Sequence, residues 1–140
     1  MIVAVLDTNV LVSGFPAPTG VPGTLIDLWR RGVYRLVVSE PILMELAETW
    51  RDPYWAARFP SDESKAAIDL LRDMALVTPL TVEVAGVATH PEDDLILATA
   101  VSGGADYLVT GDRKVLAIGA FGNVTIFSPR AFLTRLAEDA

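Results

Sequence analysis

A chain of 140 residues suffices for one domain, and with 51% hydrophobic residues this one has the apolar content to fill a core. The absence of cysteine excludes disulfides and thiolate metal sites, and a single histidine excludes a multi-histidine centre, so a bound metal must be held by oxygen. A formal charge of −7 argues against indiscriminate coating of nucleic acid and leaves room for a local basic patch. No basic stretch followed by an apolar leader opens the chain, and no apolar run reaches the roughly 20 residues that span a bilayer, so the expected location is the cytoplasm.

Ile2 to Leu6 reads as a buried strand that ends on Asp7. Phe15 to Gly23 is rich in proline and glycine and reads as a loop; a helix is expected from Thr24 to Arg31, stopped by Gly32. A second strand, Tyr34 to Val38, leads to Ser39-Glu40-Pro41, which starts a helix running to about Arg51. After a connector without a clear pattern, a helix is expected from Ser61 to about Ala75. A Thr/Val-rich extended segment follows near Leu80 to Val84.

Thr89-His90-Pro91-Glu92 has capping-box spacing and opens a helix through Ser102, closed by Gly103-Gly104. Tyr107 to Val109 is a strand, Thr110-Gly111-Asp112 a turn, and a short helical piece lies near Leu116. Val124 to Phe127 is the last strand, and Ser128-Pro129 caps a final helix. The alternation predicts one α/β domain spanning residues 1–140, its sheet mostly parallel and covered by helices on both faces.

Acids recur at junctions that such a sheet brings to one edge. Asp7 follows the first strand, Asp112 follows Tyr107–Val109, and Asp93 and Asp94 open the intervening helix. That helix is apolar on every side from Leu95 onward, which predicts burial and places its first turn in a confined mouth. At about 100° per residue, Glu45 falls at the edge of the face made by Ile42, Leu43, Leu46 and Trp50, while Glu48 points to solvent. Each acid has a plainer reading: Asp7 and Asp112 as turn or cap residues, Glu92 to Asp94 as complements of the helix dipole, Glu45 as a solvated side chain. Taken together, Asp7, Glu45, Asp93 and Asp112 form a candidate site for divalent cations, with Thr8, Asn9, Asp94 and Thr110 as short polar groups that orient them.

These residues resemble the motifs of PIN-domain ribonucleases, particularly the VapC-like toxins of prokaryotic toxin–antitoxin pairs. The resemblance rests on Leu6-Asp7-Thr8-Asn9, on Glu45 within Glu40 to Leu46, on Asp93 to Ala100, and on Ala105 to Asp112. It implies a three-layer α/β/α PIN-like domain and a metal-dependent endoribonuclease using Mg²⁺ or Mn²⁺. It further implies Asp93 rather than Asp94 as the third acid, RNA as substrate, a cognate antitoxin as partner, and homodimerisation. Arg113 and Lys114, beside Asp112, are the preferred phosphate contacts; Arg30, Arg31 and Arg35 form a second basic group, and His90 reads as a loop or cap residue. Two other readings stand beside this one. A non-catalytic PIN-like interaction module predicts loss of acids from the set, yet all four positions are filled. A haloacid-dehalogenase-like phosphotransferase calls for an aspartate at the position of Asn9.

Overall fold

The computed structural model describes residues 1–139, so the expected domain of residues 1–140 runs one residue, Ala140, beyond them. In chain order the elements are β1 (Val3–Leu6), α1 (Thr8–Gly14), α2 (Val21–Arg30), β2 (Arg35–Val38), α3 (Glu40–Arg51), α4 (Pro53–Ala56) and α5 (Ser61–Met74). They continue with β3 (Leu76–Val77), α6 (Pro91–Ser102), β4 (Tyr107–Val109), α7 (Arg113–Leu116), β5 (Ala120–Phe121), β6 (Val124–Phe127) and α8 (Pro129–Glu138). The sheet order is β3-β2-β1-β4-β6-β5; all pairings are parallel except the β5–β6 hairpin. Ala4, Val5 and Leu6 on β1 and Leu36, Val37 and Val38 on β2 are all buried, so layers of helix cover both faces of the sheet. None of the described helices is long and apolar enough to cross a membrane.

The chain winds from β1 through β2 to β3 on one side, then returns to place β4 on the other side of β1. The gap between β1 and β4 is therefore the switch point where a doubly wound sheet opens a crevice at its carboxyl edge. The Asp7 N–H donates to the Val109 carbonyl at 2.8 Å, carrying the β1–β4 pairing one residue past the strand. Asp7 and Thr110 thus leave the sheet side by side.

The structure departs from the sequence expectations at several places. Residues 8–14, rich in β-branched side chains, form a helix directly after β1 because Asp7 accepts the Thr8 N–H and caps it. Helix α2 begins at Val21 rather than Thr24, since Pro22 occupies a first-turn position where its missing N–H has no helical partner to lose. Helix α6 begins at Pro91 with His90 as N-cap and no side-chain cap bond, so the capping box read at Thr89 does not form.

The extended segment expected at Leu80–Val84 is not a strand. Its donors are taken elsewhere: the Thr81 and Val82 N–H groups lie 3.0 and 3.3 Å from Ser102 Oγ on α6. The hairpin strand β5 was not expected; Gly122, at φ 57°, supplies the tight turn into β6. Within α6, residues 96–100 are buried all round, while Leu95 is 42% exposed.

Gly23 lets α2 lie against the preceding loop. A Cβ there would overlap the Ala17 carbonyl oxygen and sit 2.7 Å from Pro18 Cα, both backbone atoms that cannot swing aside. Alanine normally favours a helix over glycine by about 1 kcal/mol. Here the clash dominates, and Gly23→Ala should lower unfolding stability by roughly 1–3 kcal/mol in a denaturant titration. A neutral or stabilising outcome would show that the loop yields.

Candidate metal centre

Asp7 is buried at 6% exposure, and its carboxylate is held on both oxygens. Oδ1 accepts the Thr8 N–H at 2.7 Å; Oδ2 accepts Thr110 Oγ at 2.7 Å and Asn9 Nδ2 at 3.2 Å. Asn9 Oδ1 in turn accepts the Gly111 N–H at 3.2 Å, and Thr110 Oγ accepts the Asp112 N–H at 3.0 Å. Two loops leaving adjacent strands are thereby tied to one carboxylate. Thr8 also reaches the third element, donating its hydroxyl to Glu45 Oε2 at 3.2 Å across to α3.

A cleft of about 460 Å³ is lined by Asp7, Glu45, Asp93 and Asp112 together with Thr8, Asn9 and Glu92 among others. Asp112 uses Oδ1 as the cap of α7, accepting the Lys114 and Val115 N–H groups, and keeps Oδ2 free of protein donors. Asp93 accepts no side-chain or backbone hydrogen bond among the described residues, so nothing in the protein claims its carboxylate. The three ion pairs among the described residues, Arg31–Asp27, Arg72–Glu40 and Arg135–Asp139, involve none of these acids.

The electrostatic result is a crowded anionic site without an internal counterion. Burial raises the Asp7 pKa, the Thr110 and Thr8 hydrogen bonds oppose that rise, and repulsion from Asp93 and Asp112 adds to it. Glu45 is raised by desolvation and by Asp7, Glu92 and Asp93, against the lowering bond from Thr8. Asp93 is raised first by desolvation and then by Asp112, partly offset by His90, with Glu92 and Asp94 adding repulsion. An all-oxygen, uncompensated set of this kind suits a hard divalent cation. Among the described residues, no three acidic or histidine side chains already converge on a single point that would grip an ion. The fit therefore lies in donor chemistry and shared cleft.

The PIN domain family profile matches residues 3–114, most of the chain. The chain belongs to the PIN-domain family. Two solved structures share the PIN fold with it. VapBC2 from Rickettsia felis, bound to a DNA fragment from its promoter, aligns with TM-score 0.64 and 15% identity over 91% of this chain and 98% of that one. PAE2754 from Pyrobaculum aerophilum aligns with TM-score 0.64 and 19% identity over 98% of this chain and 90% of that one. No curated protein sequence matches the chain.

One expected member of this PIN site turns away from it. Asp94, read from the sequence as a group supporting the acids, does not line the cleft. Its Oδ2 accepts the Gly86 N–H at 3.0 Å, and Oδ1 accepts the Val87 and Ala88 N–H groups at 3.2 and 2.8 Å. It pins the loop that enters α6, while its neighbour Asp93 lines the cleft. Arg113 and Lys114 are exposed on α7 and do not line the cleft either. Arg30 and Arg35 flank a different cavity with Met1 and Val3, at the opposite, amino edge of the sheet. The cleft also contains Glu92, one of the first-turn acids expected in that mouth, and residues the sequence reading did not place there: Val12, Thr49 and Trp55. Trp55 carried no signal.

Two outcomes follow for this PIN domain. Folding raises the carboxyl pKa values of Asp7, Glu45 and Asp93 above their ordinary 3.8, 4.5 and 3.8, so the folded state binds protons more tightly in that window. Their contribution to stability is fully present below about pH 4 and is lost as pH rises through the raised values. Without metal, the stability of Asp7→Asn relative to the original chain should increase from about pH 4 to about pH 8, and Mn²⁺ should raise the Tm of the original chain more than that of the variant. Parallel pH curves and equal metal shifts would remove Asp7 from the centre of the site. Separately, Asp94→Ala should cost roughly 2 kcal/mol and speed amide exchange at residues 86–88, with Asp94→Asn milder; unchanged exchange there would refute the clasp.

Proposed function

We propose that this PIN domain is a metal-dependent endoribonuclease acting as the toxin of a toxin–antitoxin pair. The carrying observation is the buried, unneutralised Asp7 carboxylate at the β1–β4 switch point, with Glu45, Asp93 and Asp112 lining the same cleft. In this reading Asp7, Asp93 and Glu45 hold Mg²⁺ or Mn²⁺, and Asp112 completes the set through its free Oδ2. Bound there, the metal supplies Lewis-acid activation of water and charge stabilisation at the scissile phosphate.

The protein's own residues do the positioning. Thr110, Thr8 and Asn9 fix the Asp7 carboxylate in one orientation, and Asn9 ties it to Gly111, so one acceptor position, on Oδ1, is left for a ligand. Asp93, unbonded at the first turn of a buried helix, is free to meet a cation without breaking an internal contact. Arg113 and Lys114, on α7 beside Asp112, offer phosphate contacts at the rim. The likeness to VapBC2 supports an antitoxin as partner, and a homodimer is a further state of assembly implied by the family resemblance alone. A cytoplasmic location fits that role, and a single domain accounts for the whole described chain.

The test is cleavage of a single-stranded RNA with Mn²⁺ or Mg²⁺ supplied after chelation. Cleavage should require the metal, and Asp7→Asn or Asp93→Asn should lower the rate by about a thousandfold or more. Thr110→Val, which removes only an orienting hydroxyl, should cost roughly 10- to 100-fold. Metal-independent cleavage, or an Asp7→Asn variant as active as the original chain, would overturn the reading. A cleavage-inactive but antitoxin-binding protein would instead support the interaction-module alternative.

A further inference from the structure

Helix α4 lies in a stretch of sequence that fits none of the acid motifs, yet it supplies a wall of the metal cleft. Trp55 lines that cleft with Asp7, Glu45, Asp93 and Asp112. Of the three tryptophans, Trp29 and Trp50 are 4% and 2% exposed, whereas Trp55 is only partly covered. The segment that carries it is braced at both ends. The Asp52 carboxylate accepts the Tyr54 N–H at 3.0 Å, and the Phe59 N–H donates to the Trp55 carbonyl at 2.7 Å. The buried Phe59 ring packs on Trp50 with centroids 4.8 Å apart.

On the outer side, Tyr54 is 54% exposed and meets Trp55 edge-on at 5.2 Å. The Arg58 guanidinium sits 3.6 Å over the Tyr54 ring and donates to the Tyr54 carbonyl at 2.7 Å. Arg58 takes part in none of the ion pairs among the described residues, so its charge is not spent on a carboxylate. The indole that lines the anionic cleft thus belongs to an aromatic cluster carrying one such cation. Phosphates approach that cleft against repulsion, whereas a nucleobase is uncharged and has a π-face that an indole can cover.

We propose that Trp55 is a stacking platform for an unpaired base of the RNA strand whose phosphate enters the acidic cleft, with Arg58 adding positive charge for the adjoining backbone. The proposal rests on the nuclease reading and sharpens it, because a base can reach Trp55 only from a single-stranded region. Bases inside a duplex have both faces covered by their neighbours.

The experiment compares the original chain with Trp55→Phe and Trp55→Leu, each checked for an unchanged Tm. Cleavage of a short single-stranded oligoribonucleotide with Mn²⁺ is resolved into kcat and KM, and binding of the same strand, carrying a fluorophore, is followed by fluorescence anisotropy. Trp55→Leu should raise KM about tenfold or more with kcat within about twofold, and Trp55→Phe should retain most of the affinity. An oligonucleotide with one abasic residue at the stacked position should bind the original chain as weakly as the intact strand binds Trp55→Leu, and should cost Trp55→Leu nothing further. Equal KM for the original chain and Trp55→Leu, or a fall in kcat alone, overturns the platform. Cleavage that ignores Trp55 leaves the nuclease reading standing and removes this one. Trp55-dependent binding without cleavage does the reverse.

Discussion

The architecture depends on one electrostatic constraint: a carboxylate buried where two parallel strands diverge, with hydrogen bonds but no cationic side chain paired to it among the described residues. Three donors from β1's own turn and the β4 loop hold Asp7, which satisfies its hydrogen-bonding capacity in part and leaves its charge uncancelled. Hydrogen bonds to a carboxylate compensate desolvation locally; they do nothing for the repulsion of Asp93 and Asp112 across the cleft. The protein carries this repulsion at the carboxyl edge of the sheet, where strand pairing extends through the Asp7 N–H itself.

The four acids are secured very differently, and the differences match the work proposed for each. Asp7 is locked on both oxygens, Asp112 on one, Glu45 by a single hydroxyl from Thr8, and Asp93 by nothing. A site made only of locked carboxylates would need to break bonds to receive a cation. One made only of free ones would splay under mutual repulsion. The gradient from Asp7 to Asp93 gives a fixed anchor with adjustable partners: Thr8 links the anchor to Glu45 through its backbone N–H and its hydroxyl, and the Thr110 hydroxyl links it to the Asp112 backbone.

Most of this site could be read in the chain because its signals are local. Asp7 and Asp112 stand out as acids closing apolar strands, and Glu45 follows from helical geometry on α3. Asp93 and Asp94 could not be separated by the same physics. Both sit in the first turn of α6, both suit the helix dipole, and they are one residue apart. What parts them is the path of the loop 86–88, whose three N–H groups converge on Asp94, a contact set by tertiary structure. The residues near Leu80–Val84 mislead for a related reason: their strand-forming composition expresses itself only beside a partner, and Ser102 has already engaged the backbone donors. Trp55 was silent because an aromatic in a short helix carries no mark of what it faces.

Helix α6 explains how an acidic cleft and a long irregular loop can coexist in one small domain. Its buried middle, Ile96 to Ala100, packs on β1, β2 and β4 and is anchored further by the hydroxyl bridge between Ser39 and Thr99. Both ends hold the loop, through Asp94 and Ser102, while Asp93, beside Asp94 in the first turn, lines the cleft. The apolar body fixes the charged terminus in place, and Asp94 ties the loop to that same terminus. Repulsion at Asp93 is therefore opposed by core packing a turn or two away on the same helix. A cation bound in the proposed role would relieve the repulsion and so stabilise the fold through that helix as well as through the cleft.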